Sequence, residues 1–187
     1  MKTIRRIKFI SIIFALIITA SYSCNYISQN VSNIKTIKAF DVYTGTIISV
    51  TDGDTVKVSF DNYKENTLFN ETETIRLIGV NTPELNLHKE EPAEYYSEEA
   101  RDYTNQYYQK KVLIQLDHNF SIRDKYSRLL AYIYSAEDKA FINYDLIKNG
   151  YGIYYDAFLF DSKTMELFEK AEIDAKKQKI GIWFQKE

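Results

Sequence analysis

The sequence is short of the side chains that cross-link a chain or bind transition metals. It contains one cysteine, Cys24, and two histidines, His88 and His118, in 187 residues. A single cysteine excludes an intrachain disulfide, so packing must stabilise any domain that the chain forms. The two histidines stand alone, far from any spacing typical of metal ligands, and both are expected at the surface.

Positive charge is also scarce once the N-terminal segment is set aside. Four of the 24 basic residues and none of the 26 acidic residues lie in residues 1–23, which leaves 20 basic against 26 acidic residues and a net charge of −6. Phosphate affinity normally comes from lysine and arginine, so this balance argues against indiscriminate, charge-driven binding of nucleic acid. Any site for a polyanion must be local.

The N-terminal apolar run, Phe9 to Ala20, is too short to span a bilayer comfortably. Basic residues precede it and small residues lead from it to Cys24, which is typical of a signal peptide over residues 1–23. The sequence "SYSC" resembles the lipobox of bacterial lipoproteins, although Ser21 stands where that pattern prefers leucine. Lipidation of Cys24 is therefore expected, with a secreted protein or an uncleaved anchor as alternatives.

The rest of the chain divides into a tether and one domain. Residues 24–38 carry the cysteine and are otherwise polar, which suits a flexible tether. Residues 39–187 belong to a chain with 45% hydrophobic and 15% aromatic residues, enough to bury one core. We therefore expect an extracytoplasmic protein, anchored to the membrane at the cell envelope or secreted.

The domain begins with the pattern of a β-hairpin. Residues 41–50 are rich in β-branched side chains, Asp52 and Gly53 form a tight turn, and residues 54–60 alternate between apolar and polar. Asp54 has the same parity as the apolar residues of its strand, so its carboxylate is expected to face the interior. A buried carboxylate needs a partner there.

Later segments alternate between strands and helices. The patterns predict a strand within 75–84, an amphipathic helix over 94–111, strands over 112–116 and 129–134, and helices over 142–150 and 162–178. Five short strands with a helix after the third fit an α+β fold, a partly open five-stranded OB-fold barrel with about three helices.

Arginine is rare outside the first 23 residues, where 16 lysines accompany only Arg76, Arg101, Arg123 and Arg128. Where lysine is the usual cation, an arginine on a strand indicates a need for a planar group that grips a carboxylate or phosphate at two points. Arg76 and Arg128 lie at such positions. A structural pair with an acid is the alternative for either residue.

Oxygen-bearing groups accompany these arginines. Asp54, the Asn81 side chain and the Thr82 carbonyl are the kinds of ligand that Ca²⁺ takes. Glu84 follows a Thr-Pro pair that fixes the backbone, and it would be free to orient or deprotonate a water molecule. The alternatives are a turn aspartate for Asp54 and a solvated loop acid for Glu84.

Three segments together resemble the signature of the staphylococcal nuclease (thermonuclease) family. They are "DGDT" (52–55), "RLIGVNTPE" (76–84) and "DKYSRLLAYIY" (124–134), and the similarity extends over about 41–183. The resemblance implies an OB-fold barrel with three helices. It also implies a Ca²⁺-dependent phosphodiesterase that cleaves DNA and RNA and leaves 3′-phosphate ends.

The resemblance assigns a role to each matching position. It implies metal binding by Asp54, Asn81 and the Thr82 carbonyl with Asp52 close to the metal, water activation by Glu84, phosphate binding by Arg76 and Arg128, and contact with the nucleotide's terminal phosphate by Lys125 and Tyr126. Tyr154 and Tyr155, with Tyr151, lie where the family places base-stacking tyrosines, in an open register. The best-known member has aspartate at the position of Asn81, and losing that charge tends to lower calcium affinity.

The sequence therefore predicts a Ca²⁺-dependent nuclease that hydrolyses DNA, RNA or both at the cell envelope. We expect a monomer with a lipid anchor and no stable protein partner. One alternative is a catalytically weak, nuclease-like barrel that binds nucleic acid or a protein partner. A purely structural envelope lipoprotein is another, but it leaves the three segments unexplained.

Overall fold

The computed structural model describes residues 41–65, 67–86, 91–118, 120–158 and 160–184. The predicted signal peptide, Cys24, the tether and His88 lie outside the described residues. His118 is partly exposed, as expected, and its Nε2 lies 2.9 Å from a carboxylate oxygen of Asp41. Across the described ranges, no helix has both the length and the apolar character needed to cross a membrane.

Five strands close into a barrel, which confirms the predicted α+β architecture, although the barrel is closed rather than partly open. The described residues form seven strands, five of them in the barrel: β1 (Asp41–Asp52), β2 (Thr55–Phe60), β3 (Thr72–Leu77), β4 (Val80–Asn81), β5 (Lys111–Leu116), β6 (Leu129–Ser135) and β7 (Ile153–Tyr154). The barrel order is β1-β2-β3-β6-β5, in which only the β3–β6 pair is parallel. Strands β4 and β7 form a separate antiparallel ribbon.

Alternating apolar residues fill the barrel. Val56, Val58 and Phe60 of β2 are all buried, together with Ile75 on the neighbouring β3. A one-residue slip of the register would turn this whole inward set to the outside of the barrel. Burying one side chain of this size stabilises the fold by roughly 1.5 to 3 kcal/mol, so such a slip would be strongly unfavourable. The register of β2 on β3 places Thr55 opposite Arg76, at the end of the barrel where the polar residues gather.

Within the described ranges, three α-helices accompany the barrel: α1 (Ser97–Asn105), α2 (Ile142–Lys148) and α3 (Ser162–Gln178). The first is much shorter than the helix predicted over 94–111. Tyr96 has a left-handed backbone (φ 71°) that ends the helix on one side, and Gln109 has another (φ 59°) beyond its other end. Gln109 donates its backbone N–H to the Ile47 carbonyl on β1 (2.8 Å), so contact with the sheet overrides helix propensity here.

The hairpin between β1 and β2 turns one residue later than predicted, because Asp52 pairs with Thr55 and leaves Gly53 and Asp54 as the turn. Thr104 of α1 donates its hydroxyl to the Gly53 carbonyl at 2.6 Å. A Cβ on Gly53 would lie only 2.8 Å from the Thr82 side chain, so this close approach requires glycine. Asp54 is thereby fixed at the barrel end.

The predicted third strand is interrupted, since β3 ends at Leu77 and β4 begins at Val80. Gly79 between them has φ +77°, and a Cβ there would lie 2.5 Å from the Phe168 ring. Buried Asn143 of α2 supports this turn by donating its amide to the Ile78 carbonyl at 2.9 Å. The turn brings the residues after β4 back over the end of β3.

Candidate active site

Asp54 is the buried acid at the centre of the polar cluster, with 2% of its surface exposed. Its Oδ2 accepts a hydrogen bond from the Thr82 backbone N–H (2.8 Å) and lies 3.1 Å from Nη2 of Arg76. Its Oδ1 accepts from the Thr55 hydroxyl at 2.9 Å. The interior carboxylate predicted from strand parity is present and has partners on both oxygens.

Arg76 lies on β3 beside Asp54 and is itself 5% exposed. Its Nη1 donates to the carbonyls of Leu77 (2.8 Å) and Val80 (2.6 Å), and its Nη2 donates to Oδ1 of Asn81 (2.8 Å). The guanidinium is thus held by the turn after its own strand. Burial lowers the pKa of Arg76 from its ordinary value, and the Asp54 carboxylate opposes that change.

The Asp54 carboxylate and the Asn81 amide oxygen are bound by the same Arg76 nitrogen, and Thr82 is joined to Asp54 through its backbone N–H. Carboxylate, amide and carbonyl oxygens are the kinds of ligand that Ca²⁺ takes. The Thr82 hydroxyl oxygen is buried and has no hydrogen-bond partner among the described residues, which marks unsatisfied polar capacity at this point. No group of three or more His, Cys, Asp or Glu side chains poised for a metal occurs in the described part of the chain. The donor chemistry fits a hard cation, but such a site would depend on uncharged oxygens as well as Asp54.

Asp52 lies beside this cluster at the end of β1, where its Oδ1 accepts from the Leu85 backbone N–H at 3.3 Å. Burial raises the pKa of Asp52, and the nearby Asp54 charge raises it further. Arg101 of α1 opposes this increase. A second carboxylate close to Asp54 therefore favours a cation at this place.

Glu84 lies on the loop after β4 and is exposed. Its backbone N–H donates to a carboxylate oxygen of Glu94 (2.9 Å), and its carbonyl accepts from the Glu94 N–H (2.9 Å). The Glu84 charge raises the pKa of Arg76, so the two side chains lie within electrostatic reach of each other. The loop thus presents a fixed acid at the edge of the buried cluster.

The β5–β6 loop carries the predicted phosphate contacts, and Asp124 organises it. Oδ2 of Asp124 accepts from Nε of Arg128 (2.7 Å), and Oδ1 accepts from the backbone N–H groups of Arg128 (3.0 Å) and Tyr126 (2.9 Å). Tyr126 is 68% exposed, and its ring lies 5.0 Å from the ammonium of Lys125 and 5.5 Å from the guanidinium of Arg128. Two cations therefore flank one exposed aromatic face.

The three tyrosines after Gly150 point to different places. The Tyr155 ring centroid lies 5.8 Å from the Arg76 guanidinium. Tyr154 packs edge-on against Phe160 at 6.4 Å. Tyr151 stacks at 4.7 Å on Tyr103 of α1. Of the three, Tyr155 contacts the buried cluster.

The structure brings most of the predicted site residues to one end of the barrel. One cluster contains Asp52, Asp54, Arg76, Asn81, Thr82 and Tyr155. A second cluster contains Lys125, Tyr126 and Arg128. The Arg128 charge lowers the pKa of Arg76 across the space between the two clusters. Sequence reasoning missed Glu94, Arg101 and Asp124. The scarcity of arginine was a usable signal for Arg101, whereas no local pattern distinguishes Glu94.

Comparison with known proteins gives an independent line of evidence. A family profile described as "Staphylococcal nuclease homologue" matches residues 74–185. An uncharacterized protein of Methanocaldococcus jannaschii is 31% identical over 75% of this chain and 72% of its own length. A protein named thermonuclease from Staphylococcus hyicus is 31% identical over 75% of each chain. A probable endonuclease of Scheffersomyces stipitis is 36% identical over 63% of this chain and 50% of its own.

Proposed function

Because the chain belongs to the staphylococcal nuclease family, we propose that it is a Ca²⁺-dependent nuclease that hydrolyses phosphodiester bonds of DNA, RNA or both. Family membership and the nuclease-named relatives support a nuclease hydrolase. The finer proposal rests on one observation, the buried Asp54–Arg76 pair at 3.1 Å with the Arg128 and Glu84 charges within reach.

In this proposal the scissile phosphate enters between the two arginines. Arg128 offers the guanidinium nitrogens that do not bind Asp124. Arg76 exchanges part of its bonding to Asn81 for a phosphate oxygen, because the negative charge of the phosphate adds an attraction that the neutral amide lacks and a guanidinium can bind phosphate at two points. The two cations stabilise the negative charge that accumulates on the phosphoryl oxygens during attack.

Glu84 acts as the base. It takes a proton from a water molecule while the water oxygen bonds to phosphorus and the bond to the 5′ oxygen breaks. The leaving oxygen receives a proton from solvent, so the products are a 3′-phosphate and a 5′-hydroxyl. One exposed carboxylate within electrostatic reach of a buried arginine suits this role.

Asp54, Asn81 and the Thr82 carbonyl would hold the Ca²⁺, with Asp52 nearby. When bound, Ca²⁺ supplies positive charge that makes the phosphorus more electrophilic. Extracellular calcium sites work at roughly 10⁻⁴ to 10⁻³ M, so a site with an amide in place of one carboxylate remains useful outside a cell.

The location is also part of the proposal. We place the protein at the cell envelope as a monomer with no stable protein partner, anchored through a lipid on Cys24, because the pattern before that cysteine resembles a lipobox. Cys24→Ser should move the protein from the membrane fraction to the soluble one. Equal membrane recovery of both forms would contradict the lipid anchor.

A weakly catalytic binding module is the second candidate. The internal bonding of Arg76 to the Leu77 and Val80 carbonyls favours it, because those contacts hold the guanidinium away from substrate. A binding module has no need of a water-activating acid. Glu84 therefore discriminates between the two candidates.

The test uses the full-length protein in detergent with single- and double-stranded DNA at millimolar Ca²⁺, with and without a chelator. Glu84→Gln should retain DNA binding and lose turnover by on the order of 10²- to 10⁴-fold, the usual contribution of a general base. Glu98→Gln, an exposed acid on α1, is the matched control and should behave as the wild type. If the wild type shows no chelator-sensitive cleavage, the proposed nuclease activity is rejected.

A further inference from the structure

Arg123 lies in the β5–β6 loop, just before the residues with the proposed phosphate contacts, and none of the proposed catalytic roles uses it. Its Nη1 donates to the Ser127 carbonyl (2.7 Å) and to Oε2 of Glu73 (3.1 Å). Its Nη2 donates to Oε1 of Glu73 (2.9 Å) and to the Leu68 carbonyl (3.0 Å). One guanidinium therefore joins the β2–β3 loop, strand β3 and the β5–β6 loop.

The backbone that Arg123 holds at Ser127 is in an unfavourable conformation. Ser127 has φ 65°, in the left-handed region that residues other than glycine seldom adopt. Strained residues of this kind persist only where the surrounding structure holds them, and they cluster at functional sites. The bond from the Arg123 guanidinium to the Ser127 carbonyl is charge-assisted, which makes it one of the stronger contacts available for this purpose.

The left-handed residue closes the turn that carries Arg128. The Ser127 N–H donates to the Asp124 carbonyl (3.0 Å), and the Asp124 N–H donates to the Arg128 carbonyl (3.0 Å). The Asp124 carboxylate then accepts from both the backbone N–H and Nε of Arg128. If the turn opened at Ser127, the bonds that fix Arg128 relative to Asp124 would be lost together.

Glu73 fixes the other side of Arg123 to the barrel. Its side chain is 8% exposed, and Asn70 donates to it through its backbone N–H (2.8 Å) and its amide (2.9 Å). Glu73 lies on β3, the strand that also carries Arg76, and β3 is paired with β2 on one side and β6 on the other. The position of the Arg128 turn is therefore set relative to the strand of the other arginine.

We propose that Arg123 is a positioning residue for the phosphate site. By holding Ser127 in its left-handed conformation against β3, it fixes Arg128 at the distance from Arg76 that one phosphate between them requires. This inference rests on the proposed function for the roles of the two phosphate-binding arginines. Arg123 does not itself bind substrate, because both of its Nη atoms donate to protein oxygens.

Binding of a fluorescently labelled DNA duplex to the full-length protein in detergent tests this, with a chelator present to stop cleavage. Arg123→Met should weaken binding about 5- to 30-fold, the factor that corresponds to the cost of one left-handed residue that is no longer held. Adding Ser127→Gly should restore most of the lost affinity, because glycine adopts a positive φ without that cost. A merely structural role of Arg123 predicts no such rescue.

Lys139→Gly is the matched control for the rescue. Lys139 is also left-handed (φ 63°) but lies between β6 and α2. Glycine there can stabilise the chain in the same way, yet it should leave binding by Arg123→Met weak. Urea unfolding measures the stability of every variant. Arg123→Lys retains a charge beside Glu73 but not the paired nitrogens, so it serves if Arg123→Met does not fold, with the same expected loss and rescue.

Two further measurements examine the turn itself. Arg128→Gln should weaken binding by the wild type but add little to Arg123→Met, because Arg128 is no longer positioned in that variant. The backbone chemical shifts and the HN–Hα coupling of Ser127, measured by NMR, report its φ without any need for nuclease activity. Both should change in Arg123→Met.

The outcomes separate this inference from the proposed function. If folded Arg123→Met binds the duplex as the wild type does, or if Lys139→Gly rescues binding as well as Ser127→Gly, the inference is overturned even when the wild type cleaves DNA. A wild type that does not bind the duplex, or an unchanged NMR signature of Ser127, also overturns it. If Arg123→Met weakens binding and Ser127→Gly restores it while the wild type cleaves nothing, the positioning role is supported and the nuclease activity is rejected.

Discussion

Arg123 connects its own loop to Glu73 on β3 and to the loop before β3, and replacing it with methionine tests whether that connection matters. Its Nη2 and Nη1 lie 2.9 Å and 3.1 Å from the two carboxylate oxygens of Glu73. It also donates to the carbonyls of Leu68 (3.0 Å) and Ser127 (2.7 Å). Because Arg128 lies on the same loop as Ser127, Arg123→Met should loosen the proposed phosphate site as well as the fold.

The expected loss of stability follows from the burial of the pair. Removing one partner of a buried ion pair costs about 3 to 5 kcal/mol, because the other charge stays buried. The Arg123 side chain is 31% exposed against 8% for Glu73, and Asn70 supplies two further hydrogen bonds to the carboxylate. We therefore expect Arg123→Met to lower the free energy of unfolding by about 2 to 3 kcal/mol.

The control is a surface pair on the same barrel. Lys111 binds Asp61 with side chains that are 58% and 34% exposed. Exposed pairs contribute about 0 to 1 kcal/mol, so Lys111→Met should change stability by less than about 1 kcal/mol. Urea denaturation of both variants at neutral pH measures the two losses. Equal losses would refute the argument from burial.

The pH dependence checks the same reasoning. Burial alone would raise the pKa of Glu73, but hydrogen bonds from Arg123 and Asn70 outweigh it and hold the pKa below the ordinary 4.5. The unfolded chain thus binds the proton more readily, and the contribution of Glu73 is present above pH 4.5 and is lost as pH falls through the folded-state pKa. The difference in the free energy of unfolding between wild type and Arg123→Met should therefore become smaller in acid. A difference that stays constant down to pH 3 would contradict this role of Glu73.

Two further predictions concern the turn that positions the site. Asn143→Ala should lower the free energy of unfolding by about 3 kcal/mol, since it leaves the Ile133 N–H and the Ile78 carbonyl buried without this partner; a loss under 1 kcal/mol in urea would contradict this. Asn81→Asp should lower the calcium concentration at half-maximal cleavage by on the order of tenfold, because calcium affinity rises with carboxylate count; an unchanged midpoint in a calcium titration would exclude Asn81 as a ligand.

The parts of the fold that depend on local chemistry were predictable from sequence. Alternation in residues 54–60 predicted both the strand and the inward Asp54, because side-chain parity is set within one strand. The hairpin turn was placed one residue early because nothing local shows that the Gly53 carbonyl receives the Thr104 hydroxyl. The length of helix α1 was overestimated for a similar reason, because contact with β1 sets where the helix ends.

The candidate site also contains residues that were predictable from local sequence and residues that were not. Acids and arginines within three short segments could be recognised together, because each segment has a local pattern. Glu94 and Arg101 could not be assigned, since their partners Glu84 and Asp52 lie 10 and 49 positions away in the chain. The register of Tyr154 and Tyr155 also depends on tertiary structure, because pairing of β7 with β4 decides which ring faces Arg76.

Asn81 contacts Arg76 and is also one of the proposed calcium ligands. Its amide oxygen accepts from Nη2 of Arg76 at 2.8 Å, while the same nitrogen lies 3.1 Å from Asp54. A carboxylate at position 81 would hold Arg76 more tightly, since an arginine–carboxylate pair adds the attraction of opposite charges to the hydrogen bond. Under the proposed function, the amide would therefore weaken calcium binding but make Arg76 easier to transfer to a phosphate. Asn81→Asp should consequently raise the KM for DNA at saturating calcium, and a lower KM there would show that Arg76 does not exchange its partners during binding.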